Sequence, residues 1–211
     1  MEPPIWAALI TGIVAITVAF IANKKQDNRW YAECILKMKL DALNDFHMKL
    51  IESVESINYF LKEDGRLELQ RTLGLTERDP HHSPPKRDYT FVNVTDENVK
   101  NYINLTKEKA IVMDEKLLML KQSYILASIY FSDEENVVLK ECLRITQHYE
   151  EILSGNIKGF SLDTDVGLLA GIITARSFWD GAYKAINTNQ EEAKTIVAKH
   201  LYPKRAKKYE R

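Results

Sequence analysis

Cysteine, glycine and proline are all scarce in this 211-residue chain, and each scarcity excludes something. Two cysteines, Cys34 and Cys142, are too few for a disulfide scaffold. Both fall among apolar helical residues and read as reduced core thiols. Gly12 alone, among glycine and proline, interrupts the stretch from Trp6 to Asp64, which therefore predicts a single helix of about 60 residues, roughly 90 Å long. No glycine-rich phosphate loop, paired zinc-ligand motif or nucleophile elbow occurs anywhere. His47 and His148 have no recognisable catalytic companion, and the acidic groups Asp133/Glu134/Glu135 and Glu150/Glu151 sit where helix caps, dipoles and solvation account for them. The expectation is a protein without enzymatic activity or cofactor. A formal net charge of -1 leaves no global basic field for nucleic acid.

What is present starts with Ile5 to Ala22, IWAALITGIVAITVAFIA, an uncharged run. At about 1.5 Å per residue it matches the hydrocarbon core of a bilayer and predicts a transmembrane helix. No basic residue precedes it, and bulky Phe20 stands where a signal peptidase expects a small side chain, so an anchor is expected rather than a cleaved leader. Lys24, Lys25 and Arg29 follow at once, which by the positive-inside rule directs the remainder to the cytoplasm of a single-pass inner-membrane protein.

Small residues recur within this run at Ala8, Gly12, Ala15, Ala19 and Ala22, a 4,3,4,3 spacing that suits close packing against another helix and forms a candidate pore lining. The same register continues through Gln26, Arg29 and Glu33 at the expected cytosolic mouth. It then reaches Leu36, Leu40, Leu43, His47, Leu50, Val54, Ile57 and Leu61, a coiled-coil-like seam between copies of the chain. Flanking Ile35, Phe46, Ile51 and Phe60 widen the stripe, so this helix is also expected to pack against helices of its own chain. His47 reads either as a polar residue fixing register or as a proton-sensitive element.

The organisation expected is an anchor at 1–22, a juxtamembrane helix at 23–64, a loop-rich connector at 65–95, a helical bundle at 96–202 and a basic tail at 203–211. In the connector, RLELQRTLGL reads as a short helix or turn, TERDPHHSPPKRD as an exposed loop, and YTFVNV as an extended edge segment without a partner strand. Thr95 or Asp96 caps a second long helix ending near Phe131, whose inward stripe runs from Val99 through Ile103, Thr106, Ala110, Met113 and Leu117, then through Leu120, Tyr124 and Ala127. It is the natural antiparallel partner of the first. Ser132 with Glu135 opens a third helix over Asp133 to Leu153, with Val138, Cys142, Ile145, Tyr149 and Ile152 inward. A fourth is expected from Thr164 to Ile186, and a capping box at Thr188/Glu191 opens a last short helix. The fold class is all-α.

The run Lys194 to Arg211 holds seven Lys or Arg against one Glu. Lys194, Lys199, Lys204, Arg205, Lys207 and Lys208, with Lys86 and Arg87 of the proline-rich loop, are the candidate contacts for a polyanion such as a nucleotide or oligonucleotide, for anionic lipid, or for a protein partner.

The anchor, its NKK flank and the helix with Leu36 to Leu61 resemble, in architecture, the small membrane effectors of bacterial antiviral defence systems, Hailong-type channel effectors among them. The resemblance covers about the first third of the chain. It implies a homo-oligomer, a tetramer among the arrangements, that conducts ions or depolarises the membrane and is gated by a ligand-sensing cytosolic domain. The other reading of the same residues is a membrane-tethered helical scaffold that recruits a protein or polyanionic partner.

Overall fold

The structure is a computed structural model that describes residues 3–77, 89–90 and 94–202, without the side chains of 3–23, 25, 28, 76–77, 89–90 and 176. It is all-helical, apart from one pair of two-residue strands. In order come α1 (Pro3–Leu61), α2 (Glu63–Leu73), β1 (Thr76–Glu77), β2 (Tyr89–Thr90), α3 (Asp96–Ala127), α4 (Asp133–Lys158), α5 (Val166–Thr174) and α6 (Arg176–Leu201). The chain divides into two units, 1–42 and 43–211. Among the described residues, no helix is long and apolar enough to cross a membrane. The expected span Ile5 to Ala22 lies in α1, with its side chains outside the described residues.

From Leu43 onward the molecule is a four-helix bundle with up-down-up-down connectivity. The sense of each pairing follows from side chains that meet. Phe46 packs on Tyr124, Glu52 bonds Lys116 and Tyr59 lies under the Lys109 ammonium, so α3 runs antiparallel to α1. Tyr124 donates to Asn136 while Lys158 reaches Asp114, which sets α4 antiparallel to α3. His200 meets Glu135 and Phe178 meets Tyr149, which sets α6 antiparallel to α4. Asn58 and Asn187 exchange amide hydrogen bonds at 3.3 Å and close the ring from α6 back to α1. The core includes Leu43, Phe46, Leu50, Val54, Ile57 and Phe60 of α1, and every member of the stripe expected from Val99 to Ala127 is buried, as is Phe131, although α3 ends at Ala127 and a 3₁₀ turn over Ser128–Tyr130 carries the chain on to it.

Helices α2 and α5 sit at the bundle end where α1 finishes. Asn98 donates to the Thr72 carbonyl, and buried Tyr102 donates to the Leu169 carbonyl at 2.8 Å, tying both short helices to α3. The opposite end, where the chain enters at Leu43, carries the start of α4 and the finish of α6.

Several element boundaries differ from those expected. Gly65 does not end a helix. It sits buried inside α2, where a Cβ would overlap the Tyr59 carbonyl, and so it permits the sharp turn from α1. The helix stop lies instead at Gly74, whose positive φ of 78° caps α2. The segment at Tyr89–Thr90 does have a partner, pairing antiparallel with Thr76–Glu77. Helix α4 runs past Ser154 and Gly155 to Lys158, because Ser154 and Ile157 are buried and tertiary packing outweighs local stop signals. Its innermost residues are Leu139, Cys142, Thr146, Glu150 and Leu153. Expected Val138, Ile145, Tyr149 and Ile152 are half-buried one position to the side, facing a second neighbour. The break between the last two helices falls at Ala175 (ψ 51°) rather than at Thr188. Around Thr188, Asn187 and Asn189 turn their amides onto the Tyr183 and Ala185 carbonyls, and α6 passes through unbroken.

Candidate functional site

Of the residues singled out from the sequence, Ala8, Gly12, Ala15, Ala19 and Ala22 lie outside the described side chains. Gln26, Arg29 and Glu33 are all exposed on α1. Along the expected seam between copies, Leu36 is exposed and Leu40 half-buried, but Leu43, Leu50, Val54, Ile57 and Leu61 are sealed in the chain's own bundle core. Those five are unavailable to a neighbouring copy while the bundle is intact. Of the flanking residues, Phe46 and Phe60 also face inward and Ile51 is half-buried, but Ile35 is exposed and packs on no described helix core. His47 is half-buried, and burial, then the Lys194 charge, holds its pKa below the usual histidine value. A neutral imidazole at neutral pH follows.

The basic candidates do not form one described patch. Lys194 is half-buried and bonded to Glu191 at 2.7 Å, Lys199 is exposed, and Lys86, Arg87, Lys204, Arg205, Lys207 and Lys208 lie outside the described residues. His200, on the last turn of α6, bonds Glu135 at 3.0 Å. That contact links the α6 C-terminus to the Ser132/Glu135 capping box at the start of α4, where the Ser132 hydroxyl accepts from the Glu135 amide and the Glu135 carboxylate accepts from the Ser132 amide.

A polar cluster absent from the sequence reading lies between α3 and α4. Asp114 Oδ2 accepts from the Lys158 ammonium at 2.9 Å and from the Ser154 hydroxyl at 3.3 Å. Glu150, which is only 7% exposed, shares a hydrogen bond with Asp114. Asp114 Oδ1 is buried without a hydrogen-bond partner, and a protonated carboxyl on neighbouring Glu150 is a donor of the kind it lacks. Burial first, then the Asp114 carboxyl, pushes Glu150 up to about 8, with the Lys158 charge opposing. Burial works against charge on Asp114 too, but bonds from Glu150, Lys158 and Ser154 outweigh it and hold that carboxyl below its ordinary range. The pair is one proton shared by two carboxyls beside one cation. Sequence reading assigned Glu150 to a helix end. Its spacing of four from Thr146 and eight from Cys142 places it on the buried face, which was the available signal.

Helices α4, α5 and α6 border an open groove of about 480 Å³, lined by Phe160, Leu168, Ile172, Phe178 and Trp179 among others. Its volume suits a small molecule, and none of its described lining residues is charged, so it has no means of neutralising a phosphate. Trp179 contributes to this lining, and its indole N–H is buried without a hydrogen-bond partner in the protein. Among the described residues, no group of three His, Cys, Asp or Glu is placed to hold a metal ion. Comparison with protein-family models, with curated proteins and with solved structures finds no match to this chain.

Proposed function

We propose that the chain is a homo-oligomeric, single-pass effector of the inner membrane, in which Ile5 to Ala22 spans the bilayer and the bundle from Leu43 onward lies in the cytoplasm. In this reading the assembly conducts ions or depolarises the membrane, and the bundle controls it. The observation that carries the reading is that one helix, α1, bears both the uncharged segment and the core residues Leu43, Phe46, Leu50, Val54 and Ile57. A tether needs only a linker. In the proposed reading, a change in bundle packing is passed along α1 to the span. The resemblance to antiviral-defence effectors supplies a setting in which depolarisation is useful.

Gly12→Leu tests the membrane part. It thickens the close-packing face by a whole side chain, and the expected result is a smaller oligomer in detergent together with reduced membrane current, while the protein stays resistant to alkaline carbonate extraction. Unchanged oligomer size and current would sink this part of the reading.

The second reading, a membrane-tethered scaffold recruiting a protein or polyanionic partner, is favoured by the enclosure of Leu43 to Leu61 in the chain's own core. That scaffold would keep partner recruitment and show no current with or without Gly12→Leu.

A further inference from the structure

The last two turns of α4 stay helical where local chemistry would end them. Ser154 and Gly155 are poor helix formers, yet the helix continues to Lys158. On the α3 side, Asp114 Oδ2 takes the Ser154 hydroxyl at 3.3 Å and the Lys158 ammonium at 2.9 Å. On the core side Ile157 is fully enclosed, and Phe160, just beyond the helix, sets its ring 6.2 Å from that of Tyr102. One turn before Ser154 comes Glu150, buried beside the same Asp114 carboxyl, whose Oδ1 is enclosed without a partner. The turns therefore hang on one carboxylate that also faces a second carboxyl.

We propose that Glu150 and Asp114 form a proton-operated catch on the end of α4. With one proton between the carboxyls the last turns are locked to α3; when it leaves, residues 154–160 open while the rest of the bundle stays folded. A second negative charge at this depth has no cation of its own, because Lys158 is already committed to Asp114. Two ionised carboxyls side by side repel, and admitting water relieves them. The cheapest entry is the C-terminal one: Lys158 and Asp114 already meet solvent, with 66% and 32% of their side chains exposed, whereas the start of α4 is closed by the Ser132 capping box and the His200–Glu135 bond. Glu151, next to Glu150 on α4, adds to the repulsion. On α3, Lys107 and Lys121 stand seven residues either side of Asp114; α1 brings Glu52, which is held by Lys49 and Lys116; and from α6 Glu192 acts on Cys142, eight residues before Glu150. These groups stay in place when Glu150 alone is changed. The other side of the same turns carries Ile152, Asn156 and Gly159 into the groove shared with α5 and α6, so releasing the catch loosens one wall of that groove. The catch lies between α3 and α4 and stands whether or not the assembly conducts.

The test is hydrogen–deuterium exchange, read by mass spectrometry, on the full-length protein in detergent at pH 6, 7, 8 and 9, with labelling times scaled to the base-catalysed chemistry. Residues 154–160 should exchange at least about tenfold faster than 139–146 of the same helix, the mark of a local opening. Their opening constant should rise at least about tenfold from pH 6 to pH 8 and level off by pH 9. Glu150→Gln donates to Asp114 with no proton to lose, so it should hold that constant within about twofold over the whole range. Lys158→Met keeps the stem and removes the charge that opposes proton binding, so its opening is larger at every pH and the rise continues to higher pH. Equal exchange of the two segments means that only global unfolding frees Glu150, and overturns the catch. A constant that is flat in the wild type, or that rises alike in wild type and Glu150→Gln, overturns it as well.

Discussion

Replacing Glu150 by Gln should stabilise the bundle, and increasingly so as the pH rises. Glutamine fills nearly the same volume and its amide donates to Asp114 as a protonated carboxyl does, but it has no proton to lose. In wild type the folded-state pKa is raised from 4.5 to about 8, so the native pair keeps a proton that the unfolded chain has released. The sign follows directly: stability is fully present below about pH 4.5 and is lost as the pH climbs toward the folded value. Each pH unit in that window costs about 1.4 kcal/mol, giving a ceiling of roughly 3 to 4 kcal/mol between pH 5 and pH 8. For a domain of this size that is up to about 10 °C in Tm. The assay is the thermal loss of far-UV circular dichroism for both proteins at pH 5, 6, 7 and 8. Near-coincident midpoints at pH 5 and a gap that widens steadily to pH 8 are expected. His47 and the groups that do not touch Glu150 are common to both proteins and cancel in the difference, leaving the Glu150, Asp114 and Lys158 cluster as its source. Parallel curves, or a variant less stable by the same amount at every pH, would refute the shared proton.

Phe46 is 1% exposed with its ring against Tyr124 and Phe131, so Phe46→Ala should cost about 3 to 5 kcal/mol in urea unfolding, and a loss under about 1 kcal/mol would contradict the packing described. Ser132→Ala removes the hydroxyl that caps α4 and should cost about 1 kcal/mol, seen as a lower unfolding midpoint with unchanged slope. The Cys142 thiol is buried and pushed up to about 12 by that burial, whereas Cys34 is half-buried, so iodoacetamide should label Cys34 first and reach Cys142 only when the bundle unfolds; equal rates would contradict the burial of Cys142.

The parts of the fold legible in the sequence are those where one stripe faces one core. The α3 stripe from Val99 to Ala127 and the capping box at Ser132 follow from spacing and chemistry within single turns, and both are present. Helix α4 is harder because it packs on α3 and α6 at once, and a one-stripe reading settled on the flank instead of the centre. Local stop signals failed where a distant residue supplies the missing bond: Ser154 is held by Asp114, and Asn187 by Asn58. Gly65 carries close approach to Tyr59 rather than a helix end, a distinction invisible without the neighbour. The α1 seam was legible as apolar, but periodicity does not tell a partner helix in the same chain from one in another copy. The Asp114–Glu150 pair requires knowing that α4 extends to Lys158, and hence that Glu150 is mid-helix.

The central claim is that full-length chains depolarise the membrane through the segment at the start of α1. Membrane potential followed by a voltage-sensitive dye in bacterial cells, after induction of the full-length protein or of a chain lacking residues 1 to 22, tests it most directly. Depolarisation with the full-length chain alone is the predicted result; an unchanged potential with the full-length protein confirmed in the membrane would contradict the conducting effector and leave the tethered scaffold in its place.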